Sequence, residues 1–209
     1  VKTVARLIED SPVGKAGAIT SAVLQSRRAA QLSRRVRNKI VVVTGATSGI
    51  GMDCAIKLAA AGATVILAAR TPEKLQQTVE RIRADGGKAF AYACDISDMG
   101  DCDRFVQTVL AEHRHVDILI NNAGRSIRRS VKASFDRFHD FERTMQLNYF
   151  GALRLIFGFA PKMLERKSGH VINISSIGVL ASPPRFSAYV ASKAALDAFA
   201  WCAAPEFAD

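Results

Sequence analysis

The sequence has few cysteines, little acid at one end and no long apolar run, and each shortage removes a class of protein. Its four cysteines among 209 residues, Cys54, Cys94, Cys102 and Cys202, form no CxxC pair and no His/Cys spacing suited to a metal. A disulfide framework and a metal site are set aside on that spacing. Reduced thiols are the expected state, with a catalytic cysteine as the competing reading. No apolar stretch approaches the roughly 18 uninterrupted residues of a membrane span. The N-terminus also lacks the compact apolar segment and small-residue cleavage site of a secretory signal. The chain is therefore expected to be cytoplasmic. With 49% hydrophobic and 23% charged residues it has the composition of an ordinary globular protein, and its length suits one well-packed domain.

Acid is scarcest at the start. From Val1 to Lys39 nine Lys or Arg face only Glu9 and Asp10, so +7 of the formal +10 charge lies in that arm. Residues 1–38, rich in Ala, Arg and Ser, read as a linker followed by a helix, with Ile19, Val23, Leu32 and Val36 roughly on one face. Three roles stay open for it: a connection to an upstream domain, a basic segment touching a membrane surface or polyanion, and a targeting sequence. No nucleic-acid partner is expected, because the excess charge belongs to the arm and not to the body.

From Lys39 onward strands alternate with helices. Ile40 to Thr44 is a short β-branched run without polar alternation, as a strand buried on both faces requires. Ile50, Cys54, Leu58 and Ala61 then recur at helical spacing up to Gly62. Thr64–Ala68 is the second strand, and Thr71-Pro72 opens a helix with an N-cap and a proline at the first position. Lys88–Ala93, Asp117–Ile120 and His170–Ile174 are further strands. Helices are expected over Met99–Arg114, Phe138–Arg166 with a kink at Pro161, and Phe186–Ala203. The pattern predicts an α/β fold: a doubly wound, Rossmann-type parallel sheet with helices on both faces over residues 39–209.

The glycine-rich segment Thr44-Gly45-Ala46-Thr47-Ser48-Gly49-Ile50-Gly51 falls where the first strand becomes the first helix. Pyrophosphate binding needs a tight turn, close backbone approach and free N–H groups at a helix N-terminus. The spacing is GxxxGxG, not GxGxxG, so a plain connecting turn is the rival reading. The acid that would hold a ribose 2′-hydroxyl at the end of strand two is also missing: Ala68-Ala69-Arg70 stands there. A neutral residue followed by a guanidinium suits a 2′-phosphate and predicts NADP(H) over NAD(H). Tyr189 and Lys193 are four residues apart on a predicted helix and so share a face, where the ammonium would lower the phenol pKa. Ser176 lies thirteen residues before Tyr189, just past the fifth strand, at the carboxyl edge where open α/β sheets bind ligands.

Taken together, the glycine-rich segment, Asn121-Asn122-Ala123-Gly124, Asn148, Ser176 and Tyr189-x-x-x-Lys193 resemble the short-chain dehydrogenase/reductase superfamily from Lys39 to the end. The resemblance implies that Tyr189 is the general acid and that Ser176 polarises the substrate carbonyl. Lys193 would bind the nicotinamide ribose and tune Tyr189, and Asn148 would hold a relay water. It also implies cofactor contacts from Gly45, Thr47, Ser48, Gly49, Ile50, Gly51, Arg70, Asp95, Ile96, Asn122, Ala123, Gly124, Tyr189 and Lys193, and a homo-oligomeric state. Complete members carry about two further strands and a substrate-covering loop, so the resemblance implies a chain lacking its C-terminal strands.

A narrower resemblance lies in Asn122 to Arg129, Ser134 to Gly151 and Ile174 to Ala181, which are similar to bacterial fatty acyl-CoA reductases. It implies reduction of a long-chain acyl-CoA to an aldehyde, in some members by a domain at the C-terminal end of a longer reductase. A ketone or 3-oxoacyl thioester reductase and a non-catalytic NADPH-binding module remain the alternatives. Arg125, Arg128 and Arg129 are candidates to meet CoA phosphates, or else pair with Asp136, Asp140 and Glu142.

Overall fold

The computed structural model describes residues 27–207. Five parallel strands form one sheet: β1 (Ile40–Thr44), β2 (Thr64–Ala69), β3 (Lys88–Ala93), β4 (Ile118–Asn121) and β5 (His170–Asn173). Their order across the sheet is β3-β2-β1-β4-β5. The chain therefore steps outward from β1 to β3, then crosses back to lay β4 on the other side of β1. That reversal opens a crevice at the carboxyl ends of β1 and β4, the place where doubly wound sheets take their ligands. The fold class expected from the alternating pattern is the one observed.

Alternation within the strands sends side chains to two cores. Val41 and Val43 face one side, and Val42 faces the other, all three fully buried. Each such valine contributes about 1.5–3 kcal/mol by leaving water. On the first face lie α1 (residues 27–36 among those described), α2 (Gly49–Ala60) and α3 (Pro72–Ala84). Leu58, Leu75, Val79 and Ile82 supply much of that core, and Val36 of the basic arm joins it with Leu32 beside it. The packed body thus begins within the arm. Ile19 and Val23 lie outside the described residues. On the second face α4 (Met99–His113) and α6 (Ala152–Glu165) bury Phe105, Val109, Leu155, Ile156 and Phe159.

Two expectations about helices need correction. Ile50 does not join Leu58 on the buried stripe: it is 68% exposed, and Ala55 and Ala59 are buried instead. The first turn of α2 rises past the sheet edge, beyond the reach of the core. The second concerns Pro161, where α6 continues through the proline. The departure from α geometry lies upstream, where α5 (His139–Met145) runs through a π-turn, Gln146–Gly151, into α6. Gly151 has its backbone against the Ile96 carbonyl, so any Cβ there would collide with it. A π-turn of this kind re-aims side chains, and here it carries Asn148.

The fifth strand leads through a one-turn helix, α7 (Gly178–Ala181), to α8 (Ser187–Glu206), which packs on α5 and the π-turn. Strands β1 and β2 are buried almost throughout, whereas β5 alternates exposed and half-buried residues. Beside it a groove of about 750 Å³ runs between α6 and α8, lined by Met163, Leu164, Val171, Phe199 and Phe207 among others. No helix among the described residues is long and apolar enough to cross a membrane.

Candidate active site

The crevice between β1 and β4 is closed at its base by backbone contacts that only glycine permits. Gly45 leaves β1 at φ +65°, and a Cβ there would stand 3.0 Å from Ala123 Cα. A Cβ on Gly51 would collide with the Gly45 carbonyl and the Asn122 amide. Thr44 fastens the two strand ends together: its hydroxyl accepts from Asn122 N–H at 3.0 Å and Ala123 N–H at 2.9 Å. Asn122 Nδ2 in turn donates to the Thr44 carbonyl at 2.9 Å. Thr44 opens the glycine-rich segment but carries no obvious chemistry, so its sequence signal was only its place before Gly45.

Gly49 behaves differently from its neighbours. Its φ is +53°, and a Cβ there would meet nothing within 4 Å. The space above it is open, at the N-terminus of a twelve-residue helix whose N-cap, Ser48, makes no side-chain capping bond. Backbone N–H groups, helix dipole and open space coincide there, which suits a pyrophosphate.

Along the same edge, Arg70 stands exposed just past β2. The register Ala69 to Ala93 brings Asp95 beside it across the strand ends. Partial burial alone would raise the Asp95 carboxyl. The Ser97 hydroxyl and N–H, at 2.7 and 2.9 Å, and the neighbouring Arg70 more than offset it and hold the group below its ordinary range. Ile96 is buried beneath, against the π-turn. A glycine cradle, a cation and a fixed carboxylate thus follow one line along the sheet edge, as a nicotinamide dinucleotide requires.

The second half of the site converges at Gly124. A Cβ there would lie 3.2 Å from Asn148 Oδ1 and 3.4 Å from Lys193 Nζ. Lys193 is buried and donates to the Ile174 carbonyl at 2.7 Å. Burial pushes its ammonium below the ordinary lysine pKa, with Asp197 opposing the shift. Asp197 is held by the Ser175 hydroxyl at 2.6 Å. Asn148 is fully enclosed, and its side-chain amide is spoken for. Its Oδ1 accepts from Arg125 N–H at 2.8 Å, while Nδ2 donates to the Arg125 carbonyl at 3.0 Å and to Ser192 Oγ at 2.9 Å. Ser192, three residues after Tyr189, passes its own proton to the Tyr189 carbonyl at 2.7 Å. Neither Ser192 nor Asp197 was singled out from sequence. Their positions i+3 and i+8 from Tyr189 on one helix were the available signal.

Ser176 is turned by the start of α7, its Oγ accepting from Gly178 N–H at 3.1 Å. A Cβ on Gly178 would come within 3.2 Å of that oxygen and 3.1 Å of Val190 on α8, so Ser176 sits against the helix that carries Tyr189. Tyr189 is half-buried. Of the cysteines, Cys94 and Cys102 are buried, Cys54 is half-buried and Cys202 is exposed on α8.

Comparison with known proteins places the chain in a family. The short chain dehydrogenase family pattern matches residues 39–209. A fatty acyl-CoA reductase of Acinetobacter baylyi is 59% identical over 171 residues, covering 82% of this chain and 58% of the relative. A fatty acyl-CoA reductase of Mycobacterium tuberculosis is 50% identical over 161 residues, 77% of this chain and 55% of the relative. The chain thus spans somewhat over half the length of these relatives. Among solved structures, a metagenomic short-chain oxidoreductase in complex with NADP superposes with a TM-score of 0.78 at 37% identity, covering 82% of this chain and 77% of that one.

Proposed function

The chain belongs to the short chain dehydrogenase family, a family of nicotinamide-dependent oxidoreductases, and from that premise we propose that it reduces long-chain fatty acyl-CoA to aldehyde with NADPH. The observation that carries the reading is the meeting of buried Lys193 and enclosed Asn148 at Gly124, with Lys193 one turn beyond Tyr189 on α8 and Ser176 close to Gly178, which packs on the same helix. The two acyl-CoA reductases it resembles support the substrate.

In this reading NADPH supplies the hydride to the thioester carbonyl. Tyr189 donates its phenolic proton to the developing oxyanion, and Ser176 Oγ donates a second hydrogen bond to it. The product of that step is a hemithioacetal. Its collapse breaks the C–S bond, releases CoA thiol and leaves the aldehyde, with no covalent link to the protein and no cysteine required. Lys193 has lost part of its preference for the charged form through burial, and it lies where the nicotinamide ribose would sit. From there its ammonium favours the ionised phenol and eases proton loss from Tyr189. Because the Asn148 side chain is committed to Arg125 and Ser192, its part is to hold the Asn122–Arg125 segment in place.

Gly45, Thr47, Ser48, Gly49, Ile50 and Gly51 would hold the pyrophosphate, Asp95 and Ile96 the adenine end, and Asn122, Ala123 and Gly124 the nicotinamide half. Arg70 answers the 2′-phosphate and sets the choice of NADPH. Homo-oligomerisation belongs to the same reading, and Phe157 and Trp201 stand 54% and 81% exposed on α6 and α8 to receive a second copy.

The experiment is NADPH oxidation with palmitoyl-CoA, read together with free thiol. One CoA thiol per NADPH consumed supports the acyl-CoA reading. NADPH consumed on a 3-oxoacyl thioester, with no thiol released from either substrate, replaces it with a ketone reductase. NADPH binding without turnover of any carbonyl leaves a non-catalytic module.

A further inference from the structure

The rim of the site carries more arginine than its carboxylates neutralise, and the structure sorts these arginines into two groups. Arg129 and Arg137 both direct Nε at one carboxylate, Asp140, at 3.0 and 3.1 Å, and His139 Nε2 is 3.4 Å from its other oxygen. Asp140 is only 6% exposed. The hydrogen bond from Arg137, aided by Arg129, holds its carboxyl below the ordinary range against desolvation. These two arginines are occupied. Arg125, Arg128 and Arg185 are exposed and make no ion pair among the described residues.

The backbone nevertheless brings the free three to one rim. The loop after β4 and the loop after β5 leave neighbouring strands at the same edge. Arg129 N–H donates to the Arg185 carbonyl at 2.7 Å and joins the two loops. Arg125 N–H, bound to Asn148 Oδ1, ties the first loop to the floor of the site. The second loop holds two non-glycine residues in left-handed conformation, Ser182 at φ +45° and Arg185 at φ +74°. Such residues persist only where their surroundings over-determine them, and they gather at ligand-binding segments.

We propose that Arg125, Arg128 and Arg185 form a clamp for the phosphate groups of the CoA nucleotide, with Asp140 as the positioning residue that pins the clamp's backbone through Arg129. The proposal rests on the acyl-CoA reading above. In that substrate the reacting thioester and the phosphates lie at opposite ends of a long pantetheine arm. Groups that bind the phosphates therefore belong on the rim, away from Tyr189. Guanidinium groups match phosphate oxygens in pairs, and unpaired arginines on the surface have lost none of that capacity to an internal partner. The structure thus removes Arg129 from the set suggested by the sequence and adds Arg185, which lies sixty residues from Arg125 in the chain.

The test compares palmitoyl-CoA with palmitoyl-N-acetylcysteamine, which keeps the thioester and lacks every phosphate. The triple variant Arg125→Gln, Arg128→Gln, Arg185→Gln is expected to raise the palmitoyl-CoA KM about tenfold and to move the KM of the phosphate-free thioester less than about twofold. Added salt should raise the wild-type palmitoyl-CoA KM and leave that of the variant flat. Asp140→Asn provides the contrast: loosening the loop should raise the palmitoyl-CoA KM, and restoring the carboxylate with Asp140→Glu should recover part of it. An equal KM change for both thioesters in the triple variant, or no change for either, overturns the clamp while leaving the acyl-CoA reading intact. If wild-type protein releases no thiol from palmitoyl-CoA, both fall together.

Discussion

The two halves of the crevice are built in opposite ways. At the glycine-rich turn, backbone meets backbone: Gly45 lies against Ala123, Gly51 against Gly45, and Thr44 ties β1 to β4, all beside fully buried strands. In the loop after β5, Ile177 and Leu180 are 77% and 83% exposed and Ser182 and Arg185 hold positive φ values, and Arg125, Arg128 and Arg185 make no ion pair among the described residues. A cofactor whose shape never changes can be met by a rigid, side-chain-poor cradle. The comparison teaches that one half of this edge is fixed by backbone contact and the other is left to side chains.

The largest expected effect breaks chemistry without touching either half's architecture. Tyr189→Phe should lower turnover about a thousandfold by removing the proton donor, with NADPH affinity unchanged in a fluorescence titration. Next come two glycines of one segment. Gly51→Ala forces a methyl group into the Gly45 carbonyl and should cost about 3 kcal/mol of stability in chemical denaturation. Gly49→Ala has open space and only its positive φ to bear, about 1 kcal/mol. It should nevertheless weaken NADPH about a hundredfold, because the added methyl occupies the pyrophosphate's place. A matched loss of stability in both variants would contradict the cradle.

Arg70→Gln is expected to weaken NADPH about tenfold while leaving NADH nearly unchanged, so that cofactor preference narrows. The smallest effect concerns the far side of the sheet. Asp117 accepts Ile40 N–H at 2.8 Å and pairs with Arg166 and Lys39. Burial opposes its ionisation, but these partners hold its pKa below the ordinary carboxylate value. Its contribution to stability is therefore complete above about pH 4 and fades as pH falls through the depressed folded-state pKa. Asp117→Asn should cost about 1–2 kcal/mol at neutral pH and flatten the acid limb of the stability curve.

The inner strands β1 and β2 were legible because short β-branched runs without polar alternation, bounded by turn residues, suit interior parallel strands, and the alternation with helical spacing gave the rest of the element order. Gly45, Gly49 and Gly51 were legible as a glycine-rich turn from strand to helix, but their different burdens were not, since those depend on what stands opposite each absent Cβ. Asn148 was identified as a site residue, yet its bonds to Arg125 and Ser192 depend on a π-turn that leaves no periodic trace. Pro161 drew attention as a helix breaker, but the helix tolerates it and departs from regularity ten residues earlier instead. Arg185 was invisible because nothing local links it to Arg125; only the pairing of β4 with β5 brings their loops together.

The most direct test of the account follows the hydride itself. Protein incubated with palmitoyl-CoA and NADPH deuterated at both C4 positions should give palmitaldehyde carrying deuterium on its carbonyl carbon, with one CoA thiol released per label transferred. Deuterium retained in the cofactor, with no CoA thiol released, would contradict reduction at the acyl carbonyl.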